Sequence, residues 1–139
     1  MPTVIRAKIS EKNKYYIDKH RYYELKHFCL QYREWKQIYM SCTDAIIFAS
    51  RFEKDQSGNT HSDITAKYGV MRARYGQRIK LIEDTAKAAD EYLYPYILKA
   101  VTEGLSYTYL KTKLEIPCGR DMYYDRYRRF FWLLSQKRD

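Results

Sequence analysis

Apolar and aromatic residues recur at intervals of three and four from Lys12 to about Met40, without an interrupting proline or glycine. This spacing is typical of amphipathic helices. The positions are Tyr15, Tyr16, Ile17, Tyr22, Tyr23, Leu25, Phe28, Cys29, Tyr32, Trp35, Ile38 and Tyr39. We favour two helices joined near residues 31–33 over one long helix, and assign residues 1–55 to an N-terminal helical segment.

A polar stretch from Arg51 to Asp63 interrupts this periodicity and contains the turn-forming residues Ser57, Gly58 and Asn59. It predicts an exposed, mobile loop at residues 56–62. Ser62-Asp63 has the chemistry of a helix cap, and apolar spacing resumes behind it as far as about Tyr92. We therefore expect a long helix over residues 63–92.

This long helix is strongly basic in its first two thirds. Between Ile64 and Ile82 there are five basic residues and no acidic one. The five are Lys67, Arg72, Arg74, Arg78 and Lys80. Charge runs on helices usually face water, so a solvated face is one interpretation, and a second basic surface that faces phosphates is the other.

The last third of the chain predicts three shorter helices. Pro95 suits the first turn of a helix that ends at Gly104, and Ser106 suits the cap of the next one. The broken stretch from Glu115 to Gly119 separates this second helix from a third, which starts near Arg120 and continues to residue 136 or 137. The whole chain is thus predicted to be all-α, with residues 93–139 completing a single compact domain.

Composition and charge narrow the function classes. An apolar fraction of 45% allows a core, and 26 basic against 17 acidic residues give a net charge of +9. Such a surplus favours polyanionic partners, nucleic acid first, although it also aids solubility. No apolar run approaches the roughly 20 residues of a membrane span, and the charged start does not resemble a secretory signal, so we expect a cytoplasmic protein with no membrane partner.

The order of the last three helices is that of a DNA-binding helix-turn-helix, whose final helix enters the major groove. Residues 103–116 have the pattern Glu-Gly-Leu-Ser-Tyr-x-x-Leu-x-x-x-Leu-x-Ile, in which Leu110, Leu114 and Ile116 would point to the core. This run resembles the helix-turn-helix of sigma-factor region four and of the RinA/ArpU-type phage regulators of late transcription. The resemblance covers Leu93 to about Lys137 and implies a transcriptional regulator encoded by a phage or prophage.

On the last helix, an inward stripe is predicted at three- and four-residue steps. It comprises Tyr123, Tyr127, Phe130 and Leu134, with Met122 and Phe131 beside them. Arg120 and Tyr124 would then face outward near the helix start, where we expect base contacts. Phosphate contacts are expected from Lys111, Lys113, Arg128 and Arg129, with Arg126 also outward. The alternative is that the last arginines only solvate the helix and complement its dipole.

The sequence gives little support for metal binding, disulfide bonding, a phosphate-binding loop or catalysis. The histidines and the three cysteines, Cys29, Cys42 and Cys118, lack metal-ligand spacing, and an odd number of cysteines does not suggest a disulfide framework. There is no glycine-rich phosphate loop and no nucleophile-and-base constellation. We expect neither a metal nor a cofactor, and no enzymatic activity.

The sequence therefore predicts a sequence-specific regulator that binds double-stranded DNA. The N-terminal helices would supply a second basic surface, a homodimer face or a contact with host RNA polymerase, three options that stay open. One alternative is a phage protein that inhibits a host nucleic-acid enzyme, of the anti-CRISPR type, because tyrosine and arginine are enriched in interface cores. Another is a packaging accessory similar to a small terminase, which a ring of many subunits would distinguish.

Overall fold

The computed structural model of the protein describes residues 13–51 and 59–139, except for the side chains of residues 59–62. Within these residues the chain forms six helices and no strand, so the all-α prediction is confirmed. The helices are α1 (Lys19–Leu30), α2 (Tyr32–Arg51), α3 (Asn59–Ala89), α4 (Tyr94–Glu103), α5 (Tyr107–Lys113) and α6 (Arg120–Lys137). Over the described residues, none of these helices combines the length and the apolar character that a membrane crossing requires.

Two compact units are formed, where the sequence led us to expect a single compact domain. The terminal unit combines the described residues up to Gln31 with Leu81–Asp139, and the middle unit comprises the described residues of Tyr32–Lys80. Helix α3 contributes its first part to the middle unit and its end to the terminal unit. Helical periodicity shows which face of a helix is apolar but not which distant segment covers that face. The division into two units depends on which helices pack together, so periodicity does not predict it.

Several helix boundaries agree with the sequence. The first helical stretch is divided at Gln31, as expected, and Gly104 closes α4 in the left-handed conformation with φ of 71°. The Ser106 side chain accepts a hydrogen bond from the N–H of Tyr109 at 3.1 Å and so caps α5. Pro95 lies in the first turn of α4, where its missing N–H costs no helical hydrogen bond.

Helix α3 differs from the helix expected at 63–92, since it begins at Asn59 and ends at Ala89. Of the loop expected at 56–62, residues up to 58 lie outside the described residues and the others belong to the first turn of α3, where Asn, Thr and Ser are common. At the other end, the carboxylate of Asp90 accepts the N–H groups of Tyr92 and Leu93, each at 2.8 Å. These bonds replace the next helical turn and end α3 three residues early.

The core of the terminal unit is built where α1, α4 and α6 pack together. Its fully buried side chains include Leu25 on α1, Ile97 on α4, and Phe130 and Leu134 on α6. Each contributes about 1.5–3 kcal/mol by leaving water. Aromatic edges join the helices as well, with the rings of Tyr22 and Phe131 5.0 Å apart and edge-on.

The middle unit is held by contacts between α2 and the first part of α3. The guanidinium of Arg78 lies 5.4 Å from the ring of Trp35, and Arg72 donates a hydrogen bond to the Thr43 hydroxyl at 2.7 Å. Contacts thus pair later residues of α2 with earlier residues of α3, which makes the two helices antiparallel. Gly76 permits a close approach, because a Cβ there would come within 3.0 Å of the Tyr39 ring.

Candidate nucleic-acid interface

Helix α5 carries two exposed lysines in its last turn, Lys111 and Lys113. Neither has an acidic partner within the part of the chain that the structure describes. The inner face of α5 holds it against the unit, with Leu110 completely buried and Tyr107 7% exposed. Both lysine ammonium groups are therefore presented to solvent from a helix with a fixed position.

The connection between α5 and α6, residues 114–119, is fixed by hydrogen bonds. The carbonyl of Leu110 accepts from the N–H groups of Leu114 and Ile116, at 3.2 and 3.0 Å. Ile116 is buried, as expected, whereas Leu114 is half-buried. The Tyr107 hydroxyl also donates to the carbonyl of Cys118 at 2.8 Å, so that α5 is tied to the start of α6.

Arg120 is the first residue of α6 and is exposed. Its guanidinium lies 5.0 Å from the centre of the Tyr107 ring, a cation–π distance. Because the same ring anchors the connection, Tyr107 positions Arg120 as well as the turn. From the sequence we assigned no functional role to Tyr107. Its position directly after the capping residue Ser106 was the feature that could have indicated one.

Tyr124 does not face outward, contrary to expectation. It is 6% exposed, and its ring lies 6.3 Å from that of Tyr107 and 5.1 Å from that of Tyr123. The prediction was wrong because the ring of Tyr107 on α5 packs beside Tyr124, so the buried arc of α6 is wider than one stripe. Met122, expected beside the inward stripe, is instead 45% exposed. Tyr124 is thus removed from the set of base-contacting residues.

The arginines farther along α6 occupy different environments, and all three are half-buried. Arg126 donates to the Asp90 carboxylate at 2.8 Å and also to Asp125, so its charge is already paired. Within the described residues, the buried Nε of Arg128 has no hydrogen-bond partner. Arg129 lines a surface recess near the end of α3. Only Arg120 therefore combines exposure with a position at the start of the helix.

Burial and hydrogen bonding shift several pKa values around this site. Burial raises the pKa of Asp90, but the hydrogen bonds from Leu93, Arg126 and Tyr92 outweigh it and hold that pKa below its usual value. Burial raises the pKa of the Cys118 thiol, partly offset by the charge of Lys111. Burial likewise raises the pKa of the Tyr123 phenol, which favours its neutral form. Cys118 is therefore kept in its thiol form.

The five basic residues expected to form a second surface all belong to the middle unit and fall into two groups. Arg72 and Arg78 are half-buried and pack on aromatic rings of α2, Arg72 at 4.4 Å from Tyr39 and Arg78 at 5.4 Å from Trp35. The others are exposed: Lys67, Arg74 and Lys80. Two of the expected phosphate contacts thus help to hold α2 against α3.

The cysteines Cys29, Cys42 and Cys118 are free thiols, the first two of them buried. Among the described residues, no group of three or more His, Cys, Asp or Glu side chains is arranged to hold a metal ion. Compared with known proteins, the chain matches no protein-family model, no curated protein and no solved structure.

Proposed function

We propose that the protein binds double-stranded DNA through α5, the connection 114–119 and the start of α6. The observation that carries the proposal is the presentation of Lys111, Lys113 and Arg120 on a segment fixed by the Tyr107 and Leu110 hydrogen bonds. Ordering long basic side chains on a rigid support lowers the entropy cost of phosphate contacts. The net charge of +9 adds long-range attraction to a polyanion.

The three cations have different expected roles. Lys111 and Lys113 lie in the last turn of α5, and a lysine ammonium suits a phosphate oxygen but carries no sequence information. Arg120 begins the longer helix, and a guanidinium can donate two hydrogen bonds to guanine in the major groove. We therefore assign positioning to the lysines and base reading to Arg120.

The resemblance at residues 103–116 extends this proposal to a transcriptional regulator of a phage or prophage that acts in the host cytoplasm. Contacts with host RNA polymerase and homodimerisation belong to the same proposal. An Asp121 carboxylate in the first turn of α6 limits how many phosphates the helix can approach, so a modest footprint is expected.

The test is a mobility-shift titration of the whole chain on fragments of its source genome, at two salt concentrations and with competitor DNA. The two phosphate contacts of Lys111 and Lys113 predict that log K falls with log salt at a slope of about −2. Lys113→Gln should weaken binding equally on all sequences and reduce that slope by about 1. Arg120→Ala should cost about 1–3 kcal/mol on the preferred site and less on other DNA.

Lys99→Gln is the matched control, because Lys99 is exposed on α4 and the change removes the same charge. It should leave the affinity nearly unchanged. Equal losses from Lys99→Gln and Lys113→Gln would reduce the effect to net charge and contradict the assignment. Equal loss on all DNA for Arg120→Ala would contradict base reading.

A second candidate function is inhibition of a host nucleic-acid enzyme by direct protein contact. It is favoured by the mixed surface at the start of α6, where Met122 is 45% exposed beside the Asp121 carboxylate and the Arg120 guanidinium. Such mixtures of apolar and charged groups are typical of protein interfaces. Absence of DNA binding even at low salt would favour this function over the first.

A packaging accessory similar to a small terminase would use the same helices inside a ring of subunits. Light scattering of the purified chain separates this alternative. A ring of many subunits favours packaging, whereas a monomer or dimer favours the regulator or the inhibitor.

A further inference from the structure

The terminal unit contains a surface recess that the DNA-binding proposal does not use. Its volume is about 930 Å³, and its walls come from the end of α3, the connection to α4, and α6. The lining includes Lys87, Asp90, Tyr92, Tyr94, Met122 and Arg129. The recess is open to solvent, so a ligand would lie along its surface and keep one side in water.

The backbone at one wall of the recess is rigid. The Asp90 carboxylate accepts the N–H groups of Tyr92 and Leu93 through one oxygen and the Arg126 guanidinium through the other, all at 2.8 Å. Leu93 is itself buried. The main chain that bears Tyr92 is thus held on both sides before any ligand arrives.

The Tyr92 side chain, in contrast, is 87% exposed, the largest exposure among the described large hydrophobic side chains. Met122 on the facing helix is 45% exposed. An aromatic ring on a fixed backbone costs little conformational entropy when it packs on a ligand. The recess therefore offers a flat apolar surface with a fixed attachment.

Two cations of the recess are available to an anion. Arg126 is paired with Asp90 and Asp125, but Lys87 and Arg129 have no acidic partner in the described part of the chain. Lys87 lies 5.5 Å from the centre of the Tyr94 ring, which keeps its ammonium beside an aromatic surface. The lining holds three basic side chains, Lys87, Arg126 and Arg129, against two carboxylates, Asp90 and Glu91. The recess thus carries one net positive charge beside exposed aromatic and thioether groups.

We propose that this recess binds a nucleotide unit, with the base stacked on Tyr92 and the phosphate between Lys87 and Arg129. Aromatic stacking tolerates every base, and paired basic groups suit phosphate oxygens. The nucleotide could be supplied free or within a single strand, and both sources share this chemistry. The proposal does not rest on duplex binding, since Lys111, Lys113 and Arg120 are not among the lining residues.

The test is calorimetric titration of the whole chain with four probes: adenosine monophosphate, adenosine, inorganic phosphate and a six-residue oligothymidylate. The nucleotide should bind more tightly than adenosine or phosphate alone, because only the nucleotide uses both halves of the site. Tighter binding of the oligothymidylate would identify a single strand as the source, and equal or tighter binding of the mononucleotide would identify the free nucleotide.

Tyr92→Ala should weaken nucleotide binding at least about fivefold, whereas Tyr92→Phe should preserve it, since stacking needs the ring and not the hydroxyl. Tyr109→Ala is the matched control, because Tyr109 is 43% exposed on α5 and is not a lining residue. Arg129→Gln should reduce binding of the nucleotide but not of adenosine. Far-ultraviolet circular dichroism checks that each variant keeps its helices.

The proposal is overturned if no nucleotide binds, if phosphate alone binds as tightly as the nucleotide, or if Tyr92→Ala and Tyr109→Ala have equal effects. Its failure is distinguishable from failure of the duplex proposal. Tyr92→Ala should leave duplex binding intact, and Lys113→Gln should leave mononucleotide binding intact.

Discussion

The Asp90 carboxylate links the connection before α4 to α6 by three hydrogen bonds. One of its oxygens caps the chain before α4 and the other binds Arg126 on α6, with the side chain only 10% exposed. Asp90→Ala removes all these bonds, so we expect it to lower the free energy of unfolding at pH 7 by about 2 kcal/mol. Urea denaturation measures the difference.

The same residue predicts a pH dependence. Because folding lowers its pKa from 3.8, the ionised form stabilises the fold above that pH, and the stabilisation is lost as pH falls through the folded value. The difference between the wild type and Asp90→Ala should therefore shrink below pH 3.8. Asp44→Ala, at an exposed position on α2, is the control and should have little effect. A pH-independent difference would contradict this account.

Arg21 binds the C-terminal end of α6. Its guanidinium donates to the hydroxyl and carbonyl of Ser135, at 3.1 and 3.0 Å, and to the carbonyl of Arg138. These carbonyls lie at the helix end, where no intrahelical donor remains. We expect Arg21→Ala to cost about 1–2 kcal/mol of unfolding free energy, measured by thermal or urea denaturation.

Arg33→Ala serves as the comparison for Arg21→Ala, because Arg33 is exposed on α2 and the change removes the same side chain. Equal destabilisation by both would show that the carbonyl bonds of Arg21 contribute nothing.

At the level of elements, two backbone conformations near the candidate interface depend on residue type. Gly104 has φ of 71° and Glu115 has φ of 55°, both in the left-handed region that disfavours a Cβ. Gly104→Ala should lower the unfolding free energy by about 1 kcal/mol, although space for a Cβ exists, since its nearest neighbour would be 3.7 Å away.

Glu115→Gly should do the reverse and raise the unfolding free energy by about 0.5–1 kcal/mol, because glycine relieves the strain of a left-handed glutamate. Gly119→Ala is the comparison without left-handed strain: its φ of −80° suits any residue and no atom would lie within 4 Å of the new Cβ, so only the weaker N-cap preference of alanine acts there. Parallel denaturation curves of the three variants provide the measurement. Destabilisation by Glu115→Gly would contradict the strain argument.

The order and caps of these elements were readable from sequence because they depend on local chemistry. Ser106, Gly104 and Pro95 each act within one turn of their own position. The early end of α3 was also readable in principle, since an aspartate at the start of a turn commonly accepts the N–H groups two or three residues on, as Asp90 does. The burial of Tyr124 was not, because it depends on how α5 packs across α6.

At the scale of the whole molecule, the two units differ in how much they bury. Helix α6 buries five side chains, three of them phenylalanine or leucine. Helix α2 buries four and exposes Met40 and Ile47 by 55% and 47%. Because local stability follows buried apolar contact, α2 should open more readily than α6.

Hydrogen exchange read by mass spectrometry tests this difference. Amides of residues 38–48 should exchange faster than those of residues 123–134, and within α3 the change should fall near Lys80, where the units divide. Uniform protection along α3 and equal rates in α2 and α6 would contradict it. The division itself could not be predicted, because it depends on α1 packing against α4 and α6, which lie far from it in the sequence.

The chain has two tryptophans, and each unit contains one. Trp132 is paired with Tyr15 at 5.7 Å in the terminal unit, and Trp35 lies beside Arg78 in the middle unit. The fluorescence of each indole therefore reports on the unit that contains it. When one tryptophan is changed to phenylalanine, the remaining tryptophan emission comes only from the unit that still contains an indole. The unfolding of each unit can then be measured separately without attaching a dye.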